Sequence, residues 1–405
     1  MEYKIKKSLE ELFAQQAHEV LQETIEIRRY LHMHPEIGFD TQNTEKLVRE
    51  HLAAEGIEIL PGKMGVFGLI RGMDSSHMVA LRADMDALCL QEENDVPYRS
   101  QIPNKMHACG HDGHTAMLLG AAKLLQRNRE ELPMDVLLIF QPAEEGPNLG
   151  GARVMLADLQ EKGIAEKIVN IFGLHVFNDY PTGTIGVRHG AGSSSTDEFY
   201  IKITGRGGHA GQPHKTVDAL SVGAKIVGAM ETFMARRIDP NDSAVFSVGI
   251  FEAGSAINIV AETAKISGTI RCQKEEVRSY ILENMEQIVK GICNAYGAAC
   301  HIDIVHGLPV LHNDEDATNY AQTVAESIVG ADSIIPIEHT MLGAEDFAYF
   351  AQAIPACFLN LGSSNVEKGL TCLAHHPKFD FDESAMEYGI RLLCSLAAGI
   401  SDKTA

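Results

Sequence analysis

Residues 78–84 read MVALRAD, a β-rich apolar run that ends on charge, and the design recurs down the chain. Helical TAMLLGAAKLLQ follows at 115–126, then strand-like DVLLIF at 135–140 and strand-like NIFGLHV at 170–176. Short β-rich runs alternating with helical patterns predict an α/β sheet. Asp84, Asp86, Glu144, Glu145 and His175 all come just as an apolar strand ends. In open α/β sheets the site lies outside the carboxyl ends of the strands, so segments remote in sequence are expected to converge on one cleft.

Beyond about residue 190 the pattern changes. EFYIKITGRGGHAG at 198–211 is followed by helical DALSVGAKIVGAMETFMARR, then AVFSVGIFEAGSAINIVAETAKISGTIRC, helical EEVRSYILENMEQIVKGICNAYG, and a further strand near CHIDIVHG. Strand, helix, two strands, helix, strand reads as a compact α+β insert with an antiparallel sheet. ACFLNLGS and a final helix over 383–400 return to the first pattern. The expected organisation is one domain from 1–189 and 306–405, interrupted by an insert at 190–305; 405 residues are more than one core usually organises.

A formal net charge of -21 repels phosphate backbones and anionic lipid surfaces, which argues against nucleic-acid or membrane binding as the main task. A small anionic substrate stays open, because buried cations can reverse the field inside a cleft. Eight scattered Cys are too sparse for a disulfide scaffold and suit a reducing cytoplasm. The opening MEYKIKKSLEELFAQQAHEVLQ lacks the apolar region of a signal peptide, and its spacing suggests an amphipathic helix. No apolar run is long enough to cross a bilayer.

MHACGHDGHTAMLLGAA, residues 106–122, is the densest ligand chemistry. Cys109 and His111 lie two apart beside Asp112 and His114, and a thiolate with an imidazole suits zinc or a similar ion. Gly110, lacking a β-carbon, lets the backbone fold so that both side chains point one way. On local grounds alone, a helix N-terminus with a buried Cys reads equally well. FQPAEEGPNLGG breaks the tie, because adjacent residues leaving a strand point different ways. One of Glu144 and Glu145 can then bind metal while the other faces the reacting water as general base. His175 in GLHV is a further candidate, and in CLAHHPKFDFDE either His375 or His376 could be a ligand.

Three features are set aside. His32 and His34 in YLHMHPEIG sit at a helix end before Pro35, where capping or surface roles are expected. GRGGHA at 205–210 satisfies a dinucleotide pattern but lacks the flanking parallel βαβ series. No G-x-S-x-G elbow occurs for a serine nucleophile.

RRYLHMHPEIG, LRADMDAL, MHACGHDGHTAMLLGAA, FQPAEEG, GLHV, GRGGHAGQPH, INIVAETAKISGTIR, GAEDFAYF and HHPKFDFDE run nearly end to end in one order. In these motifs the chain resembles the M20 metallopeptidase family, in its amidohydrolase branch of hippurate hydrolases, N-acyl-amino-acid deacylases and auxin-conjugate hydrolases. The resemblance implies a zinc-peptidase-like catalytic domain, with a mixed, mostly parallel sheet flanked by helices, and an inserted ferredoxin-like α+β domain that dimerises. It implies two divalent ions (Zn, Mn, Co or Ni) held by Cys109, His111, Glu145, His175 and His375, with Cys109 bridging, and it selects His375 over His376. Glu144 becomes the general acid/base and Asp84 a supporting residue. His209 of a partner subunit is implied to stabilise the oxyanion, while Asn258 and Arg271 hold the substrate carboxylate. Without the resemblance, Arg271 reads as a strand residue in a surface ion pair.

The implied activity is hydrolysis of an N-acyl L-amino acid to a carboxylic acid and an amino acid, by a homodimer whose larger assemblies are left open. A dipeptidase or aminopeptidase is the nearest rival, and a non-catalytic metal-binding scaffold is a rival of another class. Cys89 and Val260 stand where the family commonly has Pro, and GPNLGG is unusual after the paired Glu.

Overall fold

The computed structural model describes residues 7–146, 150–339 and 343–399. Pro147–Leu149, the centre of the unusual GPNLGG, lies outside them. The chain divides into two compact units, one formed by the stretches up to Gly192, His312–His339 and from Asp346, the other chiefly by Ser193–Leu311.

The first unit opens with helix α1 (Lys7–Met33), an amphipathic helix as its spacing predicts. Leu9, Phe13, Ala17, Val20, Thr24, Arg28 and Leu31 recur at three or four residues and are all buried. Helix α2 (Gln42–Ala54) follows, then strands β1 (Glu58–Leu60), β2 (Val66–Ile70) and β3 (Met78–Asp84). Next come α3 (His111–Arg127), β4 (Asp135–Gln141), α4 (Ala152–Glu161), β5 (Ile168–Pro181), β6 (Ile185–Val187) and β7 (Gly190–Ala191).

The second unit carries β8 (Ser195–Thr204), β9 (Gly208–His209), α5 (Ala219–Arg237), β10 (Ala244–Ala253), β11 (Ile259–Val260), β12 (Thr263–Cys272), α6 (Glu275–Ala295) and β13 (Ala299–His306). The chain then returns to the first unit with β14 (His312–Asn313), α7 (Glu315–Val329), β15 (Ile334–Pro336), α8 (Ala348–Ala353), β16 (Ala356–Ser364) and α9 (Ala385–Ala398).

In the first unit an eight-stranded sheet runs β1-β2-β4-β3-β5-β16-β6-β15. β3 is parallel to β4 and β5, β5 to β16, and β6 to β15, whereas β1 with β2, β2 with β4, and β6 with β16 are antiparallel. Every residue of β3 and β4 is buried, which is why both are mainly apolar rather than alternating. Helices α1, α3 and α9 pack on one another and share one core with the sheet.

His175 corrects the expectation that it would close a strand: it lies inside β5, which continues six residues further to Pro181. The extension is supported by β16, whose Asn360 is registered with His175 and whose Ser364 is registered with Pro181. The pairing of β3 with β5 stops at Arg82 and Gly173, and the same register carried two residues on sets His175 level with Asp84, the last residue of β3.

In the second unit β10-β12-β8-β13 form an antiparallel sheet, the ferredoxin-like strand order, with α5 and α6 packed against it. Burial alternates along β8, and the inward residues Phe199, Ile201 and Ile203 join Ile226, Met230, Ile281, Met285 and Val289 of the two helices in a separate core.

Candidate metal centre

Gly110 begins the site. Its φ of 92° is a left-handed conformation that a side chain resists, and a β-carbon there would lie 2.3 Å from Val176 Cγ2. This turn starts α3 directly at His111 and leaves Cys109 and His111 on one side, buried.

Cys109 Sγ lies 3.2 Å from His175 Nε2. His175 Nδ1 is 2.7 Å from the Val176 carbonyl, to which it must donate, so the lone pair of Nε2 faces the sulfur. On the opposite flank His375 Nε2 stands 2.8 Å from Glu145 Oε1. Hydrogen bonds to Cys109 and Glu145 push the His375 imidazole up to about 10. His375 has φ 66°, a rare value for a side-chain-bearing residue. His376 turns aside, and its Nδ1 accepts the Lys378 N–H at 3.1 Å.

Donor atoms of Cys109, His111 and His175 lie within 4.8 Å of one another, as do those of Cys109, Glu145 and His375, and those of His111, Glu144 and Glu145. Cys109 belongs to the first two groups, so its thiolate can serve two ions at once. Both ring nitrogens of His111 are buried and neither makes a close hydrogen bond: Nδ1 stands 3.5 Å from Asp86 Oδ1, and Nε2 has carboxylate oxygens only at 3.8 and 3.9 Å, which leaves Nε2 open to a ligand. Thiolate, imidazole and carboxylate donors suit zinc and its neighbours. The described residues thus offer groups able to hold two ions.

His114 is a different case. Its Nδ1 donates to Asp84 Oδ1 at 2.6 Å and its Nε2 accepts the Val176 N–H at 2.9 Å, so both nitrogens are used. Asp84 also takes Arg82 Nη1 at 2.6 Å and lies 3.8 Å from His111 Nε2. Burial opposes its charge, yet His111, Arg82 and His114 hold the carboxyl well below the usual range. Asp84 is therefore a fixed anion beneath the imidazoles.

Glu144 Oε2 stands 3.9 Å from His111 Nε2. The turn that carries it leaves β4 through Ala143, with φ 58°. Arg82 stabilises this corner, bonding Gln141 Oε1 at 2.9 Å and Asp346 Oδ1 at 2.9 Å. Asp346 in turn accepts the Ala152 N–H that opens α4.

His32 also departs from its expectation. It is not a cap or a surface residue but fully buried, with Nδ1 2.8 Å from Asp112 Oδ2 and Nε2 3.2 Å from Glu92 Oε1. Arg28 joins the same cluster, donating to Asp112 Oδ2 at 2.8 Å and Asp380 Oδ1 at 2.7 Å. The network ties α1 to the first turn of α3, next to His111. His34 behaves as expected of a helix end, its Nδ1 2.8 Å from the Tyr30 carbonyl. Sequence reasoning passed over Arg28, Arg82 and Asp346, and named Asp112 only as a neighbour of the ligands. Arg28 on the buried stripe of α1 and Arg82 inside an apolar strand were the available signals.

The second unit places His209 and Asn258 together. β9 pairs with β11, registering His209 with Ile259, and the Asn258 carbonyl accepts the Ala210 N–H at 3.1 Å. Both side chains are exposed. Arg271 is not with them: it is registered with Thr196 near the far end of β12 from Thr263. At about 3.3 Å per residue, the strand puts Arg271 roughly 26 Å from Thr263. Asn258 precedes the Thr263 end of β12, so it and Arg271 belong to opposite ends of that strand.

The model of Peptidase family M20/M25/M40 matches residues 80–399. The chain belongs to this family. Among M20 relatives, it is 38% identical to thermostable carboxypeptidase 2 of Saccharolobus solfataricus, over 94% of this chain and 95% of that one. It is 37% identical to the N-acetylcysteine deacetylase of Bacillus subtilis, over 92% of this chain and 95% of that one. The crystal structure of Bacillus subtilis YXEP, described as a dinuclear metal binding peptidase from M20 family, superposes with a TM-score of 0.80 at 34% identity, covering 94% of this chain and 98% of that one. This M20 chain is a metal-dependent hydrolase of amide bonds. Among its described residues no helix is long and apolar enough to cross a membrane.

Proposed function

We propose that this M20 hydrolase cleaves N-acyl L-amino acids, of the hippurate or N-acetyl type, to a carboxylic acid and a free amino acid. The observation that carries the reading is the division of the glutamate pair: Glu145 faces Cys109 and His375, while Glu144 lies 3.9 Å from His111. The similarity to a protein named as a deacetylase supports the substrate class.

Cys109, His111, Glu145, His175 and His375 would hold two divalent ions, of Zn, Mn, Co or Ni, with Cys109 shared. When bound, the ions polarise the amide carbonyl and make water acidic enough to react near neutral pH. Glu144 takes the proton of the attacking water and delivers it to the departing amine. Asp84 neutralises the charge of the imidazole cluster and fixes the His114 ring, so that the reacting groups need not reorganise. His209 of the partner subunit donates to the oxyanion, and Asn258 and Arg271 orient the substrate carboxylate, Arg271 through its two-pronged guanidinium. The separation of Asn258 from Arg271 along one chain favours a homodimer, formed through residues 190–305, in which two copies complete each clamp. The flanking stretches 1–189 and 306–405 form the catalytic domain of this arrangement. We place the enzyme in the cytoplasm, in keeping with eight free, scattered cysteines.

The test is turnover of a panel of N-acyl amino acids and dipeptides by metal-loaded protein. Preference for the N-acyl amino acids is expected; exclusive cleavage of peptides would replace the reading with a peptidase. That second reading has the similarity to a carboxypeptidase in its favour.

A further inference from the structure

We infer that Asp86 is a positioning residue of the hydrolytic site, one carboxylate that aims Glu144, Glu145 and His111 together. The inference rests on the reading of Glu144 as base and Glu145 as ligand, and deepens it.

Ala143 sits in the left-handed region, with φ 58°, and is fully buried. A residue with a β-carbon holds that conformation only when its surroundings compensate the strain. The turn brings two successive N–H groups to one side: Glu144 N donates to Asp86 Oδ1 at 2.9 Å and Glu145 N donates to Asp86 Oδ2 at 3.0 Å. Consecutive N–H groups that converge on an anion form a nest, and charge-assisted hydrogen bonds of this kind are the strong ones. With the peptide groups so fixed, Glu145 is directed to Cys109 and His375 and Glu144 toward His111.

The carboxylate has a third neighbour. Asp86 Oδ1 lies 3.5 Å from His111 Nδ1, which leaves Nε2 on the side of Glu144. An anion beside one nitrogen of an imidazole selects the tautomer that offers the other to a metal.

Asp86 is itself held rigidly. It is buried two residues past the end of β3, where Met85 N donates to the Gln141 carbonyl at 2.8 Å and Ala87 N to the Glu36 carbonyl at 2.7 Å. Both backbone neighbours are thus anchored, and the carboxylate is a fixed post on which the glutamate turn is hung. An asparagine has the same shape but one acceptor oxygen, so it can serve one of the two N–H groups and presents a donor to the other.

The experiment is Asp86→Asn, with Mn2+ and Zn2+ titrated into the stripped protein by calorimetry, circular dichroism to follow folding, and kcat and KM measured separately. The expected result is metal binding weakened about 10–100-fold, and kcat reduced at least about 10-fold with KM within about threefold of the parent. Adding Ala143→Gly should recover part of both losses, since glycine adopts the left-handed turn without compensation. Asp86→Glu, which keeps the charge and displaces its oxygens, should lose turnover in the same direction and serves if the Asn variant does not fold. Metal affinity and kcat within twofold of the parent in either variant, or losses that Ala143→Gly leaves untouched, would overturn the inference. If the parent protein turns over no N-acyl amino acid, the reading of the substrate is lost, while the metal titration still decides the role of Asp86.

Discussion

The two sheets of this chain use their strands in opposite ways. In the eight-stranded sheet, β3 and β4 are buried at every residue, whereas β8 and β13 of the four-stranded sheet alternate between covered and open positions. A strand covered on both faces can carry charge only where each charge is met by a partner. Arg82 and Asp84 therefore bond each other and reach His114, Gln141 and Asp346. On the outward face of the alternating sheet a charge is solvated, as that of Lys202 is, although Asp197 on the inward face of β8 is buried against Arg278. Perturbations should thus be large and coupled in the first sheet and its helices, and small and additive in the second.

The largest effect is expected at the glutamate pair. Glu144→Ala should lower kcat about 1000-fold while two ions per chain are retained by elemental analysis, because a positioned proton carrier is worth about 10²–10⁴. Unchanged turnover would remove Glu144 from the chemistry.

Next comes the buried ion cluster of α1. Arg28→Ala leaves Asp112 and Asp380 without their cation in a sealed site and should destabilise by about 3–5 kcal/mol in urea unfolding. A loss no larger than that of an exposed Lys would break the contrast between the two regions.

The same cluster predicts a pH dependence. Burial opposes the charge on His32, but Asp112 and Glu92 outweigh it and raise the imidazole to about 9. A raised folded value means that protonated His32 stabilises the fold fully below about pH 6.5, its ordinary unfolded value. This contribution, on the order of 3 kcal/mol, drains away as pH rises from about 6.5 to 9. Urea unfolding of the parent and of His32→Phe across that range should converge toward high pH; parallel curves would show that His32 is not charged in the fold.

The smallest effect belongs to the open face. Lys202 on β8 is registered with Lys265 and His301 of its neighbours, and Lys202→Ala should change stability by no more than about 0.5 kcal/mol.

What was legible in the sequence follows from the same physics. Cys109, His111, Glu144 and Glu145 stand in short motifs where the ligand atoms are neighbours in sequence, so their chemistry could be read without a fold. The βαββαβ order of the insert was legible from periodicity, because an antiparallel sheet with one open face writes its alternation into the sequence. His32 was misread because its partners Asp112 and Glu92 come from distant segments, and a helix end before a proline looks exposed until another helix seals it. Asp86 was noticed only as a polar strand end, since its acceptors' donors lie on a loop 58 and 59 residues away.

Composition, periodicity and motif chemistry by themselves determined an α/β chain with an α+β insert and ligands for metal. They are local properties, set by which side chains lie within a few residues of one another. The family resemblance already implied a shared Cys109 and His375 rather than His376 as ligand; only the tertiary structure decided that Asp86 gathers the glutamate turn and that Arg271 lies at the far end of β12 from Thr263. Those are distances between segments remote in the chain, and they exist only after the sheet has set the register of its strands.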